Sequence, residues 1–192
     1  MRVVGGALGG RRLVAPEPGS DSTRPTSDRA REAIFNMLVS VMDLDGVTVT
    51  DLFAGTGALG IEALSRGAAH AAFIDSDPAA CRIINANLAG LGLAGRAAVV
   101  RSDIESYLAA HSDTVDLAFA DPPYGFDRWA ELLRTLDAAV LVCESDREIE
   151  PGPDHPWDTW RVRQYGTPVI TILLRPDTIA TASHRDPAAQ GD

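Results

Sequence analysis

The chain has 192 residues, 45% of them hydrophobic and 23% charged, a balance that excludes wholesale disorder and suffices for one packed core. The net charge of −10 argues against a uniformly phosphate-binding surface, yet residues 1–31 hold six arginines against three acids and leave −13 on the remainder. No apolar run approaches the about 18 residues of a membrane span, no leader peptide is recognisable, and two distant cysteines, Cys81 and Cys143, fit a reducing cytosol rather than a disulfide framework or a metal site.

Residues 1–22, with five glycines, two prolines and short apolar pairs, predict a hairpin-like basic arm that turns at Gly9-Gly10. From Ser27 onward, Ala30, Ala33, Ile34, Met37, Leu38 and Val41 fall on one helical stripe. Five strand-like runs follow, Val47–Phe53, Ala71–Asp75, Ala97–Arg101, Val115–Asp121 and Ala139–Glu144, alternating with helical segments. That alternation predicts βαβ units and a parallel sheet covered on both faces. Trp160–Tyr165 and Val169–Arg175, separated only by Gly166-Thr167-Pro168, predict an antiparallel hairpin. The expected division is an arm at 1–22, an α/β domain at 23–175 and a polar tail at 176–192.

Helix boundaries place the motifs at strand ends. One helix stops at Arg66-Gly67, a cation followed by a glycine suited to a C-terminal cap, and the next opens on Asp77-Pro78, an N-cap aspartate with proline at the first helical position. Between the first strand and its helix lies Asp51-Leu52-Phe53-Ala54-Gly55-Thr56-Gly57-Ala58-Leu59-Gly60. Its glycines allow tight turning and close approach of backbone to a ligand. Asp51, four residues before Gly55, would repel a pyrophosphate and welcome an ammonium group, which favours a methionine-type cofactor over a nucleotide or a plain structural turn. Asp75 closes the second strand, where a carboxylate can accept both hydroxyls of a ribose. Asp77 reads more simply as a helix cap, and Asp103 suits either a cap or an acceptor for an adenine amine.

The fourth strand runs into Asp121-Pro122-Pro123-Tyr124-Gly125. Two prolines remove backbone donors and hold an extended turn, leaving carbonyls able to accept, while Asp121 adds a carboxylate and Tyr124 a flat stacking face. Together these suit one task, gripping an amino group on a heterocycle. With the glycine loop, this tetrapeptide resembles a class I S-adenosylmethionine-dependent methyltransferase acting on an exocyclic nitrogen. Gly9-Gly10-Arg11-Arg12-Leu13, Arg24-Pro25-Thr26-Ser27-Asp28-Arg29-Ala30-Arg31-Glu32 and Phe35-Asn36-Met37-Leu38 narrow the likeness to the RsmD family, over residues 2 to about 175.

The resemblance implies a Rossmann-like α/β fold with a seven-stranded, mostly parallel sheet. It implies methylation of guanine N2 in 16S ribosomal RNA, with the target within a small ribosomal subunit; the residues themselves point to a cytoplasmic enzyme without metal, and a monomer is expected because nothing in them suggests an obligate dimer. The cofactor, S-adenosyl-L-methionine, would contact Asp51, Phe53, Ala54, Gly55, Thr56, Gly57, Asp75, Ser76, Asp103 and Ile104. Asp121, Pro122, Pro123 and Tyr124 would hold the target base, and Arg2, Arg11, Arg12, Arg24, Arg29 and Arg31 would meet phosphates. A DNA adenine-N6 or cytosine-N4 methyltransferase would use the same tetrapeptide, and a noncatalytic nucleotide-binding module would use the glycine loop alone. The Glu144–Trp157 stretch, rich in acids and prolines, matches no functional motif.

Overall fold

The computed structural model describes residues 1–16, 28–153, 155–176 and 178. In chain order the elements are α1 (Asp28–Leu38), β1 (Thr48–Leu52), α2 (Ala58–Ser65), β2 (His70–Asp75), α3 (Pro78–Leu91), β3 (Ala97–Arg101), α4 (Ile104–Ala110), β4 (Val115–Ala120), α5 (Trp129–Thr135), β5 (Ala138–Ser145), β6 (Asp158–Gln164) and β7 (Val169–Leu174). One seven-stranded sheet runs in the order β3-β2-β1-β4-β5-β7-β6. The first five strands pair in parallel, and β7 inserts antiparallel between β5 and β6. Every expected strand is present within about two residues at each end.

The period of two along the strands sorts the core into two layers. Phe73, Leu117, Phe119, Val140 and Val142 pack on one face with Phe35 of α1 and Ile61 and Ile84 of α2 and α3. Ile74, Ala118, Ala120, Leu141 and Cys143 pack on the other with Trp129, Leu132 and Leu133 of α5. The caps follow the sequence: the Asp77 carboxylate accepts the Ala79 N–H, and proline occupies the first turn of α3. Both cysteines are buried free thiols. No helix among the described residues is long and apolar enough to cross a membrane.

The described amino-terminal residues form a hairpin-like turn that also packs into the fold. Arg2 and Arg12 bridge in antiparallel fashion, and Gly10 turns the chain at φ 84°. The segment is stapled to the sheet-covering helices. Val3 and Leu13 belong to the core. Glu62 of α2, fully buried, accepts the Val4 and Gly5 N–H groups, each at 2.7 Å, and the Arg66 Nε at 2.8 Å. The close approach depends on small residues: a Cβ at Gly5 would lie 2.5 Å from Arg66 Nη2, and one at Gly6 only 2.1 Å from the Ser65 carbonyl oxygen. Glu144–Trp157 is anchored too, since Ile149 and Trp157 are buried and the Trp157 Nε1 donates to the Leu133 carbonyl at 2.8 Å.

Candidate active site

The parallel strands carry the motifs to their carboxyl ends, where the loops of an open α/β sheet form a crevice. β1 delivers Asp51, only 1% exposed, whose Oδ2 accepts the Gly60 N–H at 2.9 Å. Burial pushes its carboxyl up to about 7; the Gly60 hydrogen bond opposes that rise and the nearby Asp75 charge adds to it. Gly60 has to be glycine here, because a Cβ would stand 2.4 Å from the Phe73 ring and 3.2 Å from Asp51 Oδ2.

The glycine loop then reverses the chain tightly. Phe53, Gly55 and Gly57 all have positive φ, and Phe53 is the one non-glycine residue among those described to do so. That conformation is costly for a side chain and is held here by the tight turn of the loop. The Gly57 N–H closes the turn on the Ala54 carbonyl at 2.7 Å, and the Ala54 N–H pairs with Ile74 of β2. Asp75 binds the loop directly: its Oδ2 accepts the Gly55 N–H at 2.8 Å and its Oδ1 accepts the Asp77 N–H at 2.9 Å. A carboxylate offers about four acceptor positions, so these two bonds leave capacity for hydroxyl donors.

Phe53, Asp75, Ser76, Asp103 and Ile104 line one cleft of about 100 Å³, joined by Ser102 and Glu105. Asp103 caps α4 by accepting the Ser106 N–H, which holds its carboxyl below the usual range. Its capping role is therefore real, and it stands at the cleft as well. A shallow surface depression beside it gathers Pro122, Pro123 and Tyr124 with Phe126, Trp129, Ser145 and Asp146. Tyr124 is 54% exposed, an unusual setting for an aromatic side chain and one suited to stacking. Phe126 links the cleft and the depression, with its ring edge-on to Phe53 and to Trp129 at 5.3 Å in each case.

These residues fit the cofactor that the resemblance implies. Asp51 is a buried carboxyl whose ionised form a cationic ammonium would stabilise, the loop backbone approaches without intervening side chains, and Asp75 faces the cleft as an acceptor. Phe126, Trp129 and Glu105 were missed in the sequence. The Phe-x-x-Trp spacing after Tyr124-Gly125 was an available signal for the aromatic pair.

The basic residues divide. Arg2, Arg11, Arg12 and Arg29 are exposed, although Arg2 lies 3.5 Å from Asp28 and Arg11 donates to the Gly90 carbonyl. Arg24 lies outside the described residues. Arg31 corrects the expectation: its side chain is wholly buried, paired with Asp28 at 2.7 Å and donating to the Arg2 carbonyl. It fastens α1 to the amino-terminal segment and cannot meet a phosphate. Asn87, buried on α3, has a related function the sequence did not reveal. Its Oδ1 accepts the Val14 N–H at 2.7 Å and its Nδ2 donates to the carbonyls of Val14 and Thr56, tying that segment to the glycine loop.

The family model described as conserved hypothetical protein 95 matches residues 1–174. The chain is 41% identical over 185 residues to the ribosomal RNA small subunit methyltransferase D of Escherichia coli, covering 91% of this chain and 90% of that protein. It is 30% identical over 192 residues to the protein of the same name from Haemophilus influenzae, covering 96% and 92%. Among solved structures, yhhF from Escherichia coli superposes with a TM-score of 0.78 at 35% identity, covering 91% of this chain and 97% of that one. The fold is that of class I methyltransferases. A match spanning the glycine loop, the Asp121–Tyr124 loop and the amino-terminal segment alike places the chain in the conserved hypothetical protein 95 family, the RsmD family, to which it belongs.

Proposed function

We propose that this protein methylates the N2 amine of a guanine in 16S ribosomal RNA, with S-adenosylmethionine as donor, acting as a monomer on a small-subunit particle. The observation that carries the reading is the adjacency of a cleft and a shallow depression at the carboxyl ends of the strands. The cleft is lined by Phe53, Asp75 and Asp103, the depression by the Pro122–Tyr124 loop, and Phe126 belongs to the wall between them. The names of the relatives from Escherichia coli and Haemophilus influenzae support ribosomal RNA as the substrate class.

The cofactor supplies a methyl group on a sulfonium, ready for displacement. The chain's own residues bind and aim. Asp51 meets the ammonium end and Asp75 the ribose hydroxyls. Asp121 and the Pro122 carbonyl accept the two hydrogens of the guanine amine, drawing its lone pair out of conjugation and pointing it at the methyl group. Acceleration comes chiefly from alignment and from fixed dipoles, so Asp121 need not act as a strong base, and the proton leaves after transfer. Tyr124 stacks on the base, which has to be unpaired or flipped out to enter.

The test incubates purified protein with isotopically labelled cofactor and small subunits lacking the modification, followed by mass spectrometry of the nucleosides. Labelled N2-methylguanosine at one mapped position is the expected product. A labelled N6-methyladenosine or N4-methylcytidine, or no labelled nucleoside, refutes the proposal. A parallel reaction with protein-free 16S RNA separates the particle from the naked strand as substrate.

A further inference from the structure

The stretch that matched no motif opens beside the Pro122–Tyr124 depression. β5 ends at Ser145, which is buried; its hydroxyl bonds the Arg147 carbonyl and accepts the Arg147 N–H at 3.3 Å. This local turn fixes the intervening Asp146 at the rim, where it lines the same depression as Pro122, Pro123 and Tyr124. Arg147 braces the arrangement, with Nη1 3.2 Å from Asp146 Oδ1 and Nη2 reaching the Phe126 carbonyl at 3.4 Å. The Asp146 side chain is 42% exposed, and a single arginine contact leaves acceptor positions on its carboxylate.

An acceptor at this place separates the three amines that an Asp-Pro-Pro-Tyr loop can hold. In adenine and in cytosine the ring nitrogen beside the amine is a bare acceptor, which a carboxylate repels. In guanine that neighbour, N1, carries a hydrogen and points the same way as the N2 hydrogens. We infer that Asp146 is a specificity-determining residue that accepts the N1–H of the target guanine while the Asp121–Tyr124 loop holds its N2 amine. The inference rests on the guanine reading proposed above and adds the residue that enforces it. It also gives the Ser145–Arg147 turn a purpose, since a carboxylate can discriminate only if it is held in register with the amine-binding loop.

The test replaces the mapped target guanine with 2-aminopurine, which keeps the N2 amine and the stacking face but leaves N1 bare. Wild-type protein is expected to favour guanine by about 10- to 100-fold in kcat/KM, the scale of one well-placed polar contact in a partly exposed site. Asp146→Ala, which removes the acceptor, should reduce that preference to about threefold or less through loss on guanine, with cofactor affinity unchanged, whereas Asp146→Asn, whose amide oxygen still accepts, should keep more of it. The missing O6 of 2-aminopurine affects wild type and variants alike, so the change in the ratio isolates the N1 contact. A wild-type preference retained in an active Asp146→Ala variant, or absent from the wild type, overturns the role of Asp146. If wild-type protein leaves guanine N2 unmethylated, the proposed function itself fails and this inference falls with it.

Discussion

The proposed contact of Asp51 with the ammonium of the cofactor would make binding pH-dependent in a calculable way. Burial lifts the Asp51 carboxyl to about 7 against the Gly60 hydrogen bond, so below that pH the ligand-free protein carries Asp51 protonated. An ammonium group placed against it returns the carboxyl to its ordinary range, and binding then releases one proton. The dissociation constant should rise about tenfold for each pH unit below 7, or about a hundredfold between pH 8 and pH 5, equivalent to about 2.7 kcal/mol. Titration calorimetry of S-adenosylmethionine across that range, in two buffers of different ionisation enthalpy, reads both the affinity and the proton. Asp51→Asn keeps an acceptor for the Gly60 N–H but cannot titrate, so its affinity should be lower at pH 8 and flat below it. An unchanging wild-type affinity, or a variant with the same slope, would refute the assignment. Ligand-free stability runs the opposite way. With the folded value above the unfolded one near 3.8, the native state holds the extra proton between about pH 4 and 7. The contribution of Asp51 is therefore greatest at low pH, declines as pH rises through that window and is absent from the Asn variant.

Four further outcomes follow from the site and its supports. Asp75→Ala should weaken cofactor binding by about 1.5–3 kcal/mol, the scale of hydrogen bonds to a charged acceptor, as read by calorimetry; an unchanged affinity would move the ribose site elsewhere. Asp121→Ala should leave cofactor affinity within a few fold while methyl transfer to small subunits falls by about 10² or more, and Tyr124→Phe should be mild where Tyr124→Ala is severe. Glu62→Ala strips acceptors from Val4, Gly5 and Arg66 at a buried site and should lower stability by about 3 kcal/mol or more in a denaturant titration, whereas a near-native midpoint would mean the amino-terminal segment is not bound as described. Replacing Arg2, Arg11 and Arg12 together by alanine should reduce the salt slope of RNA binding by about two to three, and a full slope would place the phosphate contacts elsewhere.

The arginine substitutions leave the packed amino-terminal segment in place, and the reason that segment is packed separates what is local in this protein from what is not. Composition and local pattern alone announced the glycine loop, the Asp77-Pro78 cap, the terminal hairpin and the strands that carry Asp51, Asp75 and Asp121 to one edge. Each of these is encoded within a few residues, by the backbone freedom of glycine, the fixed φ of proline or a period of two. The fate of a charge is not encoded that way. Arg31 sits in the same basic stretch as Arg29, yet one is buried against Asp28 and the Arg2 carbonyl and the other is exposed. The partners that bury it come from the folded amino-terminal segment, and that segment is held by Glu62 and Asn87, which lie more than 50 residues away in sequence. The position of Asp146 beside the Pro122–Tyr124 loop likewise exists only because β4 and β5 pair in parallel and end together. Hydrogen bonds and ion pairs act over a few ångströms whatever the separation along the chain, so tertiary structure alone decided which acids hold the fold and which stand at the carboxyl ends of the strands.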